Sequence, residues 1–591
     1  MSAVLEAREP GARYLESLEP ALVRQFDLLA TAPGGVARLR ELILTLAVQG
    51  KLVPQVSDDE PGSALLGRIF AERNRLIASG QSKRDRSEAA PQVDDSEVLP
   101  AGWASTLLGE VSLVSGGVTL GRKGSLIEPV TLPYLRVANV QRWRVEMNEL
   151  KQVTIARSEL QRFALRSGDL LITEGGDWDK VGRSAIWRGE LPECLHQNHV
   201  FKLRGMLNSW NSEWAQLYLN SPVARTYFAS CAKQTTNLAS INMTQLKACR
   251  FPLPPLAEQA RIVARVDDLM RLCDALEAKG RLEAAQHAQL LCTLLGTLTD
   301  SASPEELAAN WQRVADHFDL LLDRPEAVDA LEQTILQLAV RGLLVPQDPT
   351  EEPASVLLER IRAEKDRLIA EGKIKRESSL SQAAGRDEPF ELPATWAWTQ
   401  IGEVVDFLNG YAFKSEWFKT KGLRLLRNLN VGHGQIDWSQ PVFVETVIGG
   451  QFEQFQLSEG DVVLSLDRPI ISTGLKCAVV GANDLPCLLL QRVARLSPMP
   501  AAMSRDYLML WLQSDLFVGT IDPGRSNGVP HISTKQIASM VVGLPPLAEQ
   551  SRIVARVEEL QHLCTALRQR LAAIQTTQSH LAEALVKQAA A

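Results

Sequence analysis

Cysteine is scarce in this sequence. There are eight in 591 residues, and no two of them stand as C-x-x-C. That spacing marks zinc ribbons and thioredoxin-type redox sites, so neither is expected. Cys273 and Cys564 fall at apolar helical positions and read as small buried hydrophobes. The eight histidines (His196, His199, His287, His317, His433, His531, His562 and His580) are scattered without metal-ligand spacing. No run approaches the roughly 18 uncharged apolar residues that a spanning helix needs. The first twenty residues carry charge from Glu6 onward and lack the basic and apolar regions of a signal peptide. The expectation is a cytoplasmic protein with no membrane partner.

Catalytic motifs are missing too. The nearest approach to a phosphate-binding loop is Gly116 to Gly121 followed by Arg122 and Lys123, with the lysine one place late and Gly124 before Ser125. There is no Asn/Asp-Pro-Pro-aromatic motif for amino methylation and no PD…(D/E)xK nuclease constellation. A non-catalytic chain without cofactor or metal is expected. A chain that both reads and modifies DNA would need a cofactor site. A coiled-coil adaptor without DNA specificity is the alternative reading.

Positive charge is also short: the formal net charge is −7. The charge is segregated, however. Residues 99–252 hold 18 Lys+Arg against 12 Asp+Glu, a net of +6. Residues 392–543 hold 12 against 13, a net of −1, which leaves −12 for the rest. A global charge is a poor test of nucleic-acid binding in such a chain. The first region permits it on charge alone, and the second does not demand it.

What is present is a repeat with a period near 292 residues. FDLLATAPGGVARLRELILTLAVQGKLVPQ (26–55) matches FDLLLDRPEAVDALEQTILQLAVRGLLVPQ (318–347). Residues 60–84 match 352–376, and 99–111 match 392–404. LPPLAEQARIVARV (253–266) matches LPPLAEQSRIVARV (544–557) except at Ala260 and Ser551. Between these anchors, 112–252 and 405–543 share a few landmarks such as GDLLI and GDVVLS and otherwise diverge. One framework carrying two specificities accounts for change confined to the inserts.

The shared segments are helical. After Pro545–Pro546, residues Ile553, Val557, Leu560, Cys564, Leu567, Leu571, Ile574, Gln578, Leu581 and Leu585 recur at steps of four and three. That heptad stripe predicts a coiled coil. The earlier copy starts alike at Ile262, Val266, Leu269, Cys273 and Leu276, and Gly280 is expected to interrupt it. Further helices are predicted near 36–50, 61–80, 328–342 and 353–372. The predicted organisation is an N-terminal helical region (1–98), a first head (99–252), a central helical spacer (253–391), a second head (392–543) and a C-terminal helix (544–591) that pairs with the N-terminal helices. The fold class is α+β: two mixed α/β heads joined by long antiparallel or coiled-coil helices in a circular, pseudo-two-fold arrangement. Such a frame suits two half-sites on a duplex.

Short β-like runs in both heads (DLLIT, SAIW, VFKLR, DVVLSL, KCAVV) are broken by polar loops. Arg and Lys suit guanine edges, Asn and Gln suit adenine edges, and Ser, Thr and turn amides suit phosphates. The candidate DNA contacts in the first head are Arg122, Lys123, Asn139, Gln141, Arg142, Trp178, Lys180, Gln234, Thr236, Asn237 and Asn242. In the second they are Tyr411, Lys414, Asn428, Asn430, Arg468, Arg525, Ser526, Asn527 and His531.

With LPPLAEQ at 253–259 and 544–550, NLASINMTQLKACRFPLPPLAEQ, SNGVPHISTKQIASMVVGLPPLAEQ, NGYAFKSEWF and QNHVFKLR, the chain resembles the specificity subunits of type I restriction-modification systems over nearly its whole length. The resemblance implies that each head is a target-recognition domain for one half of a bipartite, gapped double-stranded DNA target. It implies that the helices set the gap and dock two modification subunits, which are adenine methyltransferases. Restriction/translocase subunits would join them to give an ATP-dependent nuclease. The roughly 98 residues before the first head depart from the commoner pattern.

Overall fold

The computed structural model describes residues 26–79, 99–120, 127–176, 180–235, 238–301, 303–371, 388–472, 474–521 and 531–590. The chain divides into two compact units, Met1–Glu283 with Gln575–Ala591, and Ala284–Ile574.

Two helices of 44 residues, Leu256–Thr299 and Leu547–Ala590, follow the two Pro-Pro pairs. At 1.5 Å per residue each is about 66 Å long. The first runs through Gly280 without a break, against the expected interruption. A side chain at Gly280 would meet nothing within 4 Å. An exposed mid-helix glycine costs only about 1 kcal/mol relative to alanine, too little to end a long helix. The apolar stripe of the second helix also departs from expectation at its far end. Ile553, Val557 and Cys564 are buried, whereas Ile574 and Leu581 are 52% and 47% exposed, and Ala582 is buried in their place. A straight helix drifts about 20° per heptad against a strict seven-residue repeat, so the buried face moves on by a residue.

In the first unit the helices Gly35–Val48 and Gly62–Ala78 share a core with Ile262, Val266, Leu269 and Cys273 of the first long helix and with Ala582 of the second. Arg38 Nη2 donates to Ser579 Oγ at 2.9 Å. In the second unit Pro325–Arg341 and Ala354–Ala370 pack with Leu291, Leu295 and Leu298 and with Ile553, Val557 and Cys564. A helix the sequence did not single out, Pro304–Asp316, is started by Ser303, whose Oγ accepts from the Glu306 amide at 3.2 Å.

The heads are mixed α/β. The first is centred on a four-stranded antiparallel sheet in the order Ser112–Ser115, Val200–Gly205, Leu170–Thr173, Ser184–Ile186. The second repeats that order with Val405–Asn409, Val493–Pro498, Val462–Ser465 and Cys477–Val479. The central strands are buried on both faces, which is why they read as the continuous apolar runs LLIT and VVLS. A second sheet in each head contains one parallel pair, Pro129–Leu135 with Leu195–His196 and Leu423–Leu426 with Cys487–Leu489. Each head is joined to its helices by a two-stranded antiparallel neck. The inbound strand Ala104–Leu107 pairs with the outbound Arg250–Leu253, and Ala397–Gln400 pairs with Val541–Leu544.

Candidate nucleic-acid interface

In each head, loops leave the same corner of the central sheet. In the first, the chain after Thr173 forms the short strand Gly175–Gly176, which pairs with Leu238–Ser240, and that strand pairs in turn with Lys233–Thr235. A Cβ at Gly175 would lie 2.7 Å from the Ala239 carbonyl, so the close approach needs glycine. Glu174 Oε2 receives His199 Nδ1 at 2.5 Å, which ties this loop to the start of the neighbouring strand. In the second head the corresponding loop forms the hairpin Ile470–Ile471 with Gly474–Leu475. Here Asp467, buried beneath the loop, accepts from Arg492 Nη1 at 2.7 Å, and His531 Nδ1 lies 2.8 Å from its other oxygen. Arg492 stands where the first head has His199, so both corners are closed by a carboxylate and a cationic or cationisable partner.

The structure sorts the predicted contacts. Asn139 and Asn430 are corrected: they are 3% and 1% exposed and cannot reach a base. Asn139 Oδ1 accepts from the Arg136 amide, and its Nδ2 donates to the carbonyls of Glu146 and Asn148. Asn430 Oδ1 accepts from the Arg427 amide, and its Nδ2 donates to the Asp437 carbonyl. Both amides close the same loop in the two heads. Asn242 spends its Oδ1 capping Met243–Lys247, with Gln245 returning the bond to its amide. Gln141 is used at both ends, donating to the Ala138 carbonyl and accepting from Arg183 Nη1. Tyr411 is half-buried in an aromatic cluster with Phe413, Phe452 and Phe455 at ring-centre distances of 5.1, 4.5 and 5.4 Å.

Other candidates sit on the surface side of these loops. Arg142 is half-buried and donates to Asn220 Oδ1 at 3.3 Å. The Lys180 carbonyl accepts from Thr173 Oγ1. The Asn428 carbonyl accepts from the buried Lys476 ammonium. Lys414 is exposed over the Trp417 ring, and Arg468 is exposed at φ 48° beside Asp467. Gln234 lies in a strand paired with Ala239, and its side chain is outside the described residues. Arg122, Lys123, Trp178, Thr236, Asn237, Arg525, Ser526 and Asn527 also fall outside the described residues.

One residue was missed. Trp143, 42% exposed, is held at φ 74° in the loop closed by Asn139, with its amide donating to the Ser184 carbonyl. A bulky residue in the left-handed region is strained, and such strain marks positions to inspect for function. The signal was in the repeat: the matching place in the second head is Gly434, at φ 71°.

Burial sets the titration of groups beneath the loops. It pushes the His196 imidazole down to about 4, and the nearby Lys202 ammonium adds to the effect. Lys202 is itself lowered by burial to about 8 while donating to the carbonyls of Arg162 and Ala164. Among the described residues no three His, Cys, Asp or Glu side chains gather as a metal site, and no helix is long and apolar enough to cross a membrane.

Comparison with known proteins agrees with these two heads. Residues 100–287 and 393–576 each match the family model of the type I restriction modification DNA specificity domain. The chain is 43% identical over 564 residues to the type I restriction enzyme EcoAI specificity subunit of Escherichia coli, covering 93% of each chain. It is 31% identical over 559 residues to the EcoEI specificity subunit of Escherichia coli, again covering 93% of each. Among solved structures it is similar to a chain described under complex assembly and conformational transition of the type I R-M system, with a TM-score of 0.46 and 18% identity over 83% of this chain and 98% of that one. It is also similar to the HsdS subunit from Thermoanaerobacter tengcongensis, with a TM-score of 0.39 and 19% identity over 83% and 97%. Two matched domains and full-length relatives place the chain in one family: it belongs to the DNA specificity subunits of type I restriction-modification systems.

Proposed function

We propose that this chain is the non-catalytic reader of a cytoplasmic type I restriction-modification complex. Each head reads one half of a bipartite, gapped DNA target. The long helices set the gap and dock two adenine-methyltransferase subunits, and translocating restriction subunits supply ATP-dependent cleavage. The observation that carries this reading is the pair of heads with one sheet order and different loops at the same corner. A common sheet gives two heads one way of presenting loops, and different loops give two sequences to read. Exposed Lys414, Arg468 and His531 are the second head's candidates for DNA contact. In the first head Trp143 and Arg144, both exposed, join Arg142 and Lys180. The +6 of residues 99–252 favours contact with phosphates.

The test is methylation mapping of genomic DNA from cells with and without this gene, its partner genes being present in both. The expected result is one gapped motif that depends on the gene. An unchanged methylation pattern sinks the reading. The purified chain alone is expected not to bind S-adenosylmethionine.

A further inference from the structure

The motif LPPLAEQ places a glutamate in a buried position in each unit. Glu258 is 1% exposed and Glu549 is 0% exposed, each in the first turn of a long helix. Burying a carboxylate is expensive unless it is hydrogen-bonded. In both units the same two donors meet it on one oxygen. Gln55 Nε2 donates to Glu258 Oε1 at 2.6 Å, and Trp103 Nε1 donates to the same atom at 3.0 Å. Gln347 Nε2 donates to Glu549 Oε1 at 2.7 Å, and Trp396 Nε1 does so at 3.0 Å. Burial holds both carboxyls above the usual range, although these bonds pull the other way.

The three members come from three separate pieces of chain. The tryptophan immediately precedes the inbound neck strand, the glutamate follows the outbound strand by way of Pro-Pro, and the glutamine ends the VPQ turn after the shorter helix. Around them the packing is also duplicated. Gly50 and Gly342, at φ 68° and 76°, lie against Pro100 and Trp103 and against Pro393 and Trp396. A second aromatic pins the outbound strand at one carbonyl in each unit: Trp214 Nε1 donates to Pro252 O, and Tyr507 Oη donates to Gly543 O. The pins differ in chemistry, whereas the glutamate clasp does not.

We infer that Glu258 and Glu549 are positioning residues that lock each head against rotation about its neck and so make the complex strict about gap length. The inference rests on the specificity-subunit reading above. Adding one base pair to the gap moves a half-site about 3.4 Å along the duplex and turns it about 35° around the axis. A head able to swivel by that much accepts the wrong gap. Two-stranded ribbons twist readily and are marginal by themselves, so resistance to a swivel falls to the apolar core that each head shares with its helices, to the flanking pairs Arg225–Glu41 and Arg362–Glu403, and to the clasp. The clasp fixes the foot of the inbound strand to the rigid start of the helix.

The test uses the full chain expressed with its partner subunits, with methylated positions mapped across the genome. In a Glu258→Ala/Glu549→Ala chain, and more weakly in Trp103→Phe/Trp396→Phe, the share of sites with a gap one base pair shorter or longer rises about tenfold, while both half-site sequences stay the same. Glu258→Gln/Glu549→Gln keeps Oε1 as an acceptor and keeps the strict gap. Leu508→Ala, a cavity in the second head's core, lowers the melting temperature and the total methylation without new gaps. Even loss of methylation with an unchanged gap, in variants that fold, overturns the positioning role. A genome methylated identically with and without the gene overturns the specificity-subunit reading itself, and the clasp's role with it.

Discussion

In the first unit Arg40 reaches from its helix to Asp274 at 2.6 Å and Glu277 at 3.2 Å on the long helix. In the second unit the place of Arg40 is taken by Glu332 and the place of Glu277 by Arg568, which meets Glu332 and Asp329 at 2.7 Å. The same joint is made with its signs reversed. The clasp and the glycine–proline–tryptophan packing of the necks are, by contrast, repeated residue for residue. An ion pair on a helix flank needs only opposite charges, whichever side carries them. A buried carboxylate needs two donors at fixed positions and tolerates no exchange. The reversal also discriminates between the two joints. Crossed pairing would set Arg40 against Arg568, and Asp274 and Glu277 against Asp329 and Glu332, and like charges in contact disfavour wrong partners.

The largest effect is expected from exchanging residues 99–252 for the same region of a relative. Mapped methylation is expected to show a new first half-site, with the second half-site and the gap untouched. A change in both halves would defeat the idea of independent heads.

The next largest effect is on stability in acid. His196 is buried in the first head, and its counterpart in the second is the buried Leu489. With the folded imidazole lowered from 6.5 to about 4, the unfolded chain binds a proton in that window that the folded chain refuses. The contribution of neutral His196 to stability is therefore full above pH 6.5 and is lost as pH falls toward 4, by on the order of 3 kcal/mol. Thermal melts should show the first unit weakening before the second, and His196→Leu should remove the difference. A first unit as acid-stable as the second would contradict this assignment.

Smaller again is the ion-pair joint. Arg40→Glu places three carboxylates together and should cost about 1 kcal/mol, since these partners are largely exposed and screened. Restoring opposite signs with Glu277→Arg should recover most of it in a double-mutant cycle, and additive losses would show that the joint is not a pair. The smallest effect expected on folding is that of Trp143→Gly. Relief of left-handed strain offsets the lost ring contacts, so denaturant midpoints should shift by less than about 1 kcal/mol, whereas methylation of sites with the first half-site should fall. Unchanged methylation would reduce Trp143 to a tolerated oddity of the loop.

The helices were legible because their apolar periodicity and their near-identity between copies are local properties of the sequence. Their far ends were not, since the buried stripe drifts and Gly280 is overruled by the turns on either side. The strand runs LLIT and VVLS were legible from their apolar continuity. Side-chain type alone cannot separate an amide that reads a base from one that closes a loop. Asn139, Asn430 and Asn242 show the latter use, because a short amide satisfies orphan backbone groups as well as it matches adenine. The clasp was invisible for another reason: Trp103 and Glu258 are 155 residues apart, and nothing local to either announces the other.

Every member of a clasp lies in a segment that the chain spells twice, outside the divergent inserts 112–252 and 405–543. The near-identical segments 253–266 and 544–557 give the two heads interchangeable borders in the protein. A crossover there would deliver a foreign head already flanked by its tryptophan, its glutamine and its glutamate. A head exchanged at these borders therefore keeps the joint that holds it.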